Sequence, residues 1–168
     1  LNLVFFISIP KKDFIKNFFP YIFFLTFILL LLVPVFGFEA KGSKRWIEFF
    51  FLPKFQPIEI VKPFLILIVA KILSSNGKRG IYSKSLLSLF LLSFVILLLV
   101  MQPDLGQAVL LFSTWLIMVF VSGVNLFLLI LFFAAFLVFS FLLLFLLPNK
   151  FGYIFLRLKS FIDPSQGN

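Results

Sequence analysis

The order of apolar and charged positions sets the first expectation, because crossing a membrane requires a minimum length. Hydrocarbon is roughly 30 Å thick and an α-helix rises about 1.5 Å per residue, so each crossing needs about 20 residues without a charge. Between Lys16 and Glu39 lie 22 such residues, and between Lys84 and Asp104 lie 19. Each stretch accommodates one helix, near 18–37 and 85–101. From Leu105 to Asn149 the chain runs 45 residues without a charge, about 68 Å as a single helix and twice the bilayer. It must turn back. Ser122-Gly123-Val124-Asn125 is the cluster of turn formers in the middle, which predicts helices at 107–121 and 126–147. A fifth helix is expected at 56–74 although Glu59, Lys62 and Lys71 interrupt it. Pro57 suits a first helical turn, and Ile60, Val61 and Phe64 to Val69 leave little polar face.

The pattern predicts an all-α polytopic membrane protein: five transmembrane helices in a single partial membrane domain, 1–168. Its polar segments fall at 10–17, 38–55, 75–85, 102–106, 122–125 and 148–168. Leu1 to Ile9 is apolar but spans only about 14 Å as a helix, too short to cross, and no basic region precedes it as in a signal peptide. It reads as the tail of a helix that starts earlier. With the polar run Asp163 to Asn168 at the other end, the sequence is expected to be an internal piece of a longer protein.

Composition narrows the chemistry. Charged residues make up 12% and apolar residues 62%, against about 25% charged in a soluble domain, too few to cover a water-exposed surface. There is no cysteine and no histidine, which removes thiolate nucleophiles, disulfides and the usual zinc or haem ligands. The net charge of +9 sits in short interruptions between apolar stretches, so the natural anionic partners are phospholipid headgroups or a phosphorylated lipid and not nucleic acid. The sidedness rule does not orient the helices. With five crossings, Lys11, Lys12, Lys16, Lys71, Lys78, Arg79 and Lys84 lie on one side, and Lys41, Lys44, Arg45, Lys54, Lys150, Arg157 and Lys159 on the other, with Lys62 inside the membrane. Segments 38–55 and 148–168 are unusually basic if they are outer loops.

Three constellations hold the remaining polar chemistry. In Lys41 to Lys62, Gly42 permits a tight reversal, Lys44 and Arg45 place two cations beside it, and Trp46 suits the headgroup level. The residues alone leave open an interfacial anchor or a phosphate clamp in which the Arg45 fork grips phosphoryl oxygens. Glu59 and Lys62, three apart on a helix, can pair. Lys62 lies about 9 Å along the axis from Gln56, below the interface but within snorkelling reach, so the pair is either a clamp between helices or the lining of a polar cavity. In Met101 to Gln107, Gln102-Pro103 ends one helix, Asp104 caps the next and Gly106 is expected to allow close backbone approach. No second carboxylate or base adjoins Asp104, so it is not expected to act as a catalytic base.

These strings, Lys-Gly-Ser-Lys-Arg-Trp-Ile at 41–47, Phe-Gln-Pro-Ile-Glu-Ile-Val-Lys at 55–62, Gln-Pro-Asp-Leu-Gly at 102–106 and Phe-Ile-Asp-Pro at 161–164, resemble the SEDS family of shape, elongation, division and sporulation proteins, which includes FtsW, RodA and SpoVE. The resemblance covers nearly the whole chain in family order, and the run at 41–47 looks closer to FtsW than to RodA. It implies that the five crossings are the third to seventh of a ten-helix fold in the bacterial inner membrane. It places 38–55, 102–106 and 148–168 outside, where basic loops would meet an anionic polyprenyl donor.

The implied activity is a peptidoglycan glycosyltransferase that polymerises lipid II in cell division and cell-shape maintenance. The alternatives are a flippase for lipid-linked precursors or an inactive gene fragment. The implied substrate-binding candidates are Lys44, Arg45, Glu59, Lys62 and Arg157, beside the structural motif residues Gly42, Trp46, Gln56, Pro57, Gln102, Pro103, Asp104, Gly106 and Pro164. The implied partners are lipid II, membrane lipids, a class B penicillin-binding protein and divisome or elongasome proteins. No cofactor is expected in this chain; the resemblance leaves room for a divalent cation in the intact enzyme. The family's catalytic Asp lies in a His-Thr-Asp motif beyond this sequence, so the chain alone is expected to be inactive. Ile58 stands where the family usually has Ser, and Gln107 where Thr is common.

Overall fold

The computed structural model describes residues 12–40, 43–48, 54–75, 80–148, 151–152 and 162. The order is α1 (Lys12–Phe36), β1 (Phe38–Ala40), β2 (Ser43–Trp46), α2 (Pro57–Leu73), α3 (Ile81–Met101), α4 (Leu105–Val121) and α5 (Leu126–Leu146). The protein is thus an all-α polytopic membrane protein. Apolar stretches of α1, α3 and α5 are long enough to cross a bilayer on length and composition alone. The 17-residue helices α2 and α4 rise about 26 Å, at the short end of what a crossing needs.

Two features differ from the sequence pattern. Lys12 to Asn17 and Ile81 to Lys84, expected as parts of polar segments, belong to α1 and α3, because charge-free length measures only the part of a helix that hydrocarbon surrounds. The helix is free to continue into water. Segment 38–55, expected as a loop, contains an antiparallel hairpin in which Phe38 faces Trp46 and Glu39 faces Lys44, extended by a bridge between Ile47 and Phe55. Lys54 ties its base, with Nζ 4.1 Å from the centre of the Phe38 ring and 3.3 Å from Glu48.

The chain forms two compact units, Leu1–Ser122 and Gly123–Asn168. In the first, α2 packs against α1, α3 and α4, and α3 against α4. Ile58, Val61, Leu65 and Val69 recur at helical spacing along the buried side of α2, facing Leu30 and Val33 of α1, Leu92, Val95 and Leu99 of α3, and Leu111, Trp115 and Val119 of α4 as the core. The Trp115 indole N–H donates to Ser88 Oγ at 2.9 Å, and Ser88 donates back to the Ser85 carbonyl at 2.8 Å. The one polar atom of the largest core side chain is thereby satisfied, and α3 is tied to α4. Gly37 ends α1 with its N–H on the Val33 carbonyl at 2.7 Å. A Cβ there would collide with that carbonyl oxygen, so only glycine fits. The second unit contains α5, opened by Asn125, whose side chain accepts from the Phe127 N–H at 3.0 Å. Gly123 before it sits at φ +92°, where glycine carries no steric penalty.

Candidate functional site

Charged and amide side chains collect at one end of the first unit, where β2, the start of α2 and the α3–α4 turn meet. Each arrives for a local reason. β2 carries Arg45 inward. Pro57 occupies the first helical position of α2, which fixes Gln56 as its cap and Glu59 in its first turn. Gln102 ends α3, and Asp104 opens α4, accepting from the Gln107 N–H at 3.5 Å. Because α2 and α4 start at the same end, the partial positive charges of both helix N-termini are added to the site.

Two linked clusters result. In the first, Arg45 Nη1 lies 3.4 Å from Asp104 Oδ1, with the two side chains 15% and 6% exposed. Arg45 Nε donates to the Gln102 carbonyl at 3.4 Å and Nη2 donates to the Pro103 carbonyl. Gln56 Nε2 donates to Asp104 Oδ2 at 2.9 Å. The Arg45 fork, which the sequence offered to phosphoryl oxygens, therefore grips the chain's own turn. Gln102 anchors that turn to α1 by donating to the Leu30 carbonyl at 3.2 Å. In the second cluster Lys62 Nζ lies 2.6 Å from Glu59 Oε2 and donates to Gln107 Oε1 at 3.1 Å, while Gln107 Nε2 donates to Glu59 Oε1 at 2.9 Å.

Of the candidates, the structure brings Arg45, Glu59 and Lys62 to this end, with Gln56, Pro57, Gln102, Pro103 and Asp104. Lys44 and Trp46 are exposed on the hairpin. Gly42, Arg157 and Pro164 lie outside the described residues. Gly106 does not mark a close approach: a Cβ there would meet only Asp104 Oδ1, at 4.0 Å. Gln107 was missed as a site residue, although the Asp-x-x-Gln spacing of a capping pair was legible. The contact between Arg45 and Asp104, 59 positions apart in sequence, had no sequence signal. An apolar groove of about 490 Å³ lies at the opposite ends of α2 and α4, lined by Leu73, Ser74, Ile117 and Val121 among others, and holds none of the charged groups.

The arrangement can bind and orient an anionic group. Two cations and two carboxylates offset each other, leaving as the attraction the helix N-termini and the third ammonium N–H of Lys62, which has no partner among the described residues. Both oxygens of Asp104 and both oxygens of Glu59 already have partners, and among the described residues no three His, Cys, Asp or Glu side chains form a metal-holding group.

Residues 1–168 match the profile of a family of cell cycle proteins named for FtsW, RodA and SpoVE. A probable peptidoglycan glycosyltransferase FtsW from Idiomarina loihiensis is 34% identical over 144 residues, 84% of this chain and 34% of the relative. The rod shape determining protein RodA of Thermus thermophilus superposes with a TM-score of 0.67 at 31% identity, over 81% of this chain and 45% of that one. A chain from a structure described as "Structural coordination of polymerization and crosslinking by a peptidoglycan synthase complex" superposes with a TM-score of 0.69 at 27% identity, over 98% of this chain and 48% of that one. The chain spans about a third of the length of that curated relative and under half of either solved chain.

Proposed function

The chain belongs to the FtsW, RodA and SpoVE family of cell cycle proteins, and from that premise we propose that it forms the donor-binding part of a peptidoglycan glycosyltransferase of the bacterial inner membrane. The whole protein polymerises lipid II into glycan strands during cell division and cell-shape maintenance. The observation that carries this reading is the convergence of Glu59, Lys62 and Gln107 at two neighbouring helix starts, at one end of an apolar bundle. A polyprenyl pyrophosphate donor has matching parts: an apolar tail for the bundle and an anionic head for the polar end.

In the reaction, a carboxylate takes the proton of the acceptor sugar hydroxyl, the hydroxyl oxygen bonds to the donor's anomeric carbon, and the bond from that carbon to the pyrophosphate breaks. This chain's share is binding. Lys62 supplies an ammonium N–H to the pyrophosphate, Lys44 adds a solvent-side cation, and Arg45 holds the α3–α4 turn in place. Charge-assisted hydrogen bonds suit a headgroup that is recognised before it leaves. The basic segment 38–55 faces outward in this reading, toward the anionic head of the donor. A class B penicillin-binding protein is the expected partner, supported by the likeness to a chain of a synthase complex that couples polymerisation to crosslinking.

Binding of labelled lipid II to the chain in nanodiscs tests this. Lys62→Met should weaken binding about tenfold or more, the value of one charge-assisted hydrogen bond. Equal binding by the two proteins would refute the assignment.

A further inference from the structure

Gln107 stands where a helix ordinarily caps itself. Asp104-Leu105-Gly106-Gln107 has the spacing of a capping box, in which the residue three beyond the cap turns back to the cap's own backbone N–H. Only half of that box forms. Asp104 Oδ1 accepts from the Gln107 N–H, but the Asp104 N–H goes to the Leu99 carbonyl at 2.8 Å. The Gln107 amide reaches across to α2 instead. Gln56 and Glu59 repeat the spacing on α2, and Gln56 likewise reaches across, to Asp104. The two helix starts are therefore tied twice, cap to cap and third residue to third residue.

The second tie is directional. Nε2 of Gln107 faces the carboxylate of Glu59 and its Oε1 faces the ammonium of Lys62, while Lys62 also meets the other Glu59 oxygen. Reversing the amide would set NH₂ against an ammonium and a carbonyl oxygen against a carboxylate. The ring of three groups thus has one favoured arrangement, using both Glu59 oxygens and two of the three ammonium N–H donors. A lysine head on its four-carbon stem otherwise swings freely. Held from a second helix as well as by Glu59, it keeps its third donor in one direction.

We propose that Gln107 is a positioning residue: its amide fixes Glu59 and Lys62 so that the remaining Lys62 N–H is presented to a pyrophosphate headgroup. The presentation to pyrophosphate rests on the function proposed above; the holding of Lys62 does not.

Two readouts on the full chain in nanodiscs test the two parts. The first is the rate of Lys62 acetylation by acetic anhydride, resolved by peptide mass spectrometry, with exposed Lys44 as the internal comparator. Gln107→Leu should raise the Lys62 rate about fivefold, the worth of one ordinary hydrogen bond, at an unchanged Lys44 rate. Gln107→Glu, which keeps an acceptor for Lys62, should not raise it. An unchanged Lys62 rate in Gln107→Leu, or equal rises in both variants, overturns the holding role.

The second readout is binding of undecaprenyl pyrophosphate. Gln107→Leu should weaken it about fivefold, and the Lys62→Met, Gln107→Leu double variant should bind as Lys62→Met does. Losses that multiply would mean that Gln107 acts apart from Lys62, and would overturn the positioning role. If the wild type binds this probe no better than Lys62→Met, the proposed function fails, while the acetylation rates still decide whether Gln107 holds Lys62.

Discussion

Asp104 does two things with one carboxylate, and substitution separates them. It caps α4 through the Gln107 N–H, and it answers the charge of Arg45 while accepting from Gln56. Asn is a good cap but carries no charge. Asp104→Asn is therefore expected to cost stability through the lost ion pair and the lost acceptor for Gln56, and Asp104→Ala to cost about 1 kcal/mol more for the lost cap. Chemical denaturation in detergent measures the difference. Removing the other partner is worse. Arg45→Ala strands a carboxylate that is only 6% exposed, and breaking a buried pair from one side costs about 3 kcal/mol or more. Arg45→Lys should recover little, because a single ammonium does not reproduce a fork on the Gln102 and Pro103 carbonyls and the Asp104 carboxylate together.

The helices are joined by few polar atoms, each with a definite job. Ser88 accepts from the Trp115 indole within the α3–α4 interface, so Ser88→Ala leaves a buried N–H without an acceptor and is expected to cost about 1–3 kcal/mol. Trp115→Phe in the Ser88→Ala background should cost less than it does alone, since the orphaned donor goes with it, and a double-mutant cycle in denaturant reads that coupling. Helix ends are as specific as helix faces. Gly37→Ala sets a methyl against the Val33 carbonyl oxygen, and the backbone can relieve it only by unwinding the last turn of α1. We expect a Tm lower by several degrees, seen in a thermal unfolding curve.

Across the whole molecule, the fold joins distant parts of the chain by bringing hairpin, helix start and turn to one end of the first unit. Because the chain has no cysteine, single cysteines can be introduced without removing others. Lys44→Cys should label from outside the cell, and Lys84→Cys, at the far end of α3 where its lysine donates to the Ser75 carbonyl, only from inside. Labelling of both from one face would break the alternation on which the outward-facing site depends. That the described residues form five helices was legible in the sequence, since hydrocarbon thickness fixes how many uncharged residues a crossing needs, and the turn at Ser122-Gly123 followed from its residue types. The hairpin was not legible. Its strands are three and four residues long, too short for an alternating pattern to stand out among apolar neighbours. Glu59 and Lys62 could be paired from helical spacing alone, because partners three apart on one helix share a face. That Arg45 would meet Asp104, and that Gln107 would leave its own cap to close a ring with Glu59 and Lys62, depended on which helices lie side by side. Local pattern determines the elements; only their packing brings groups tens of residues apart within reach of a hydrogen bond.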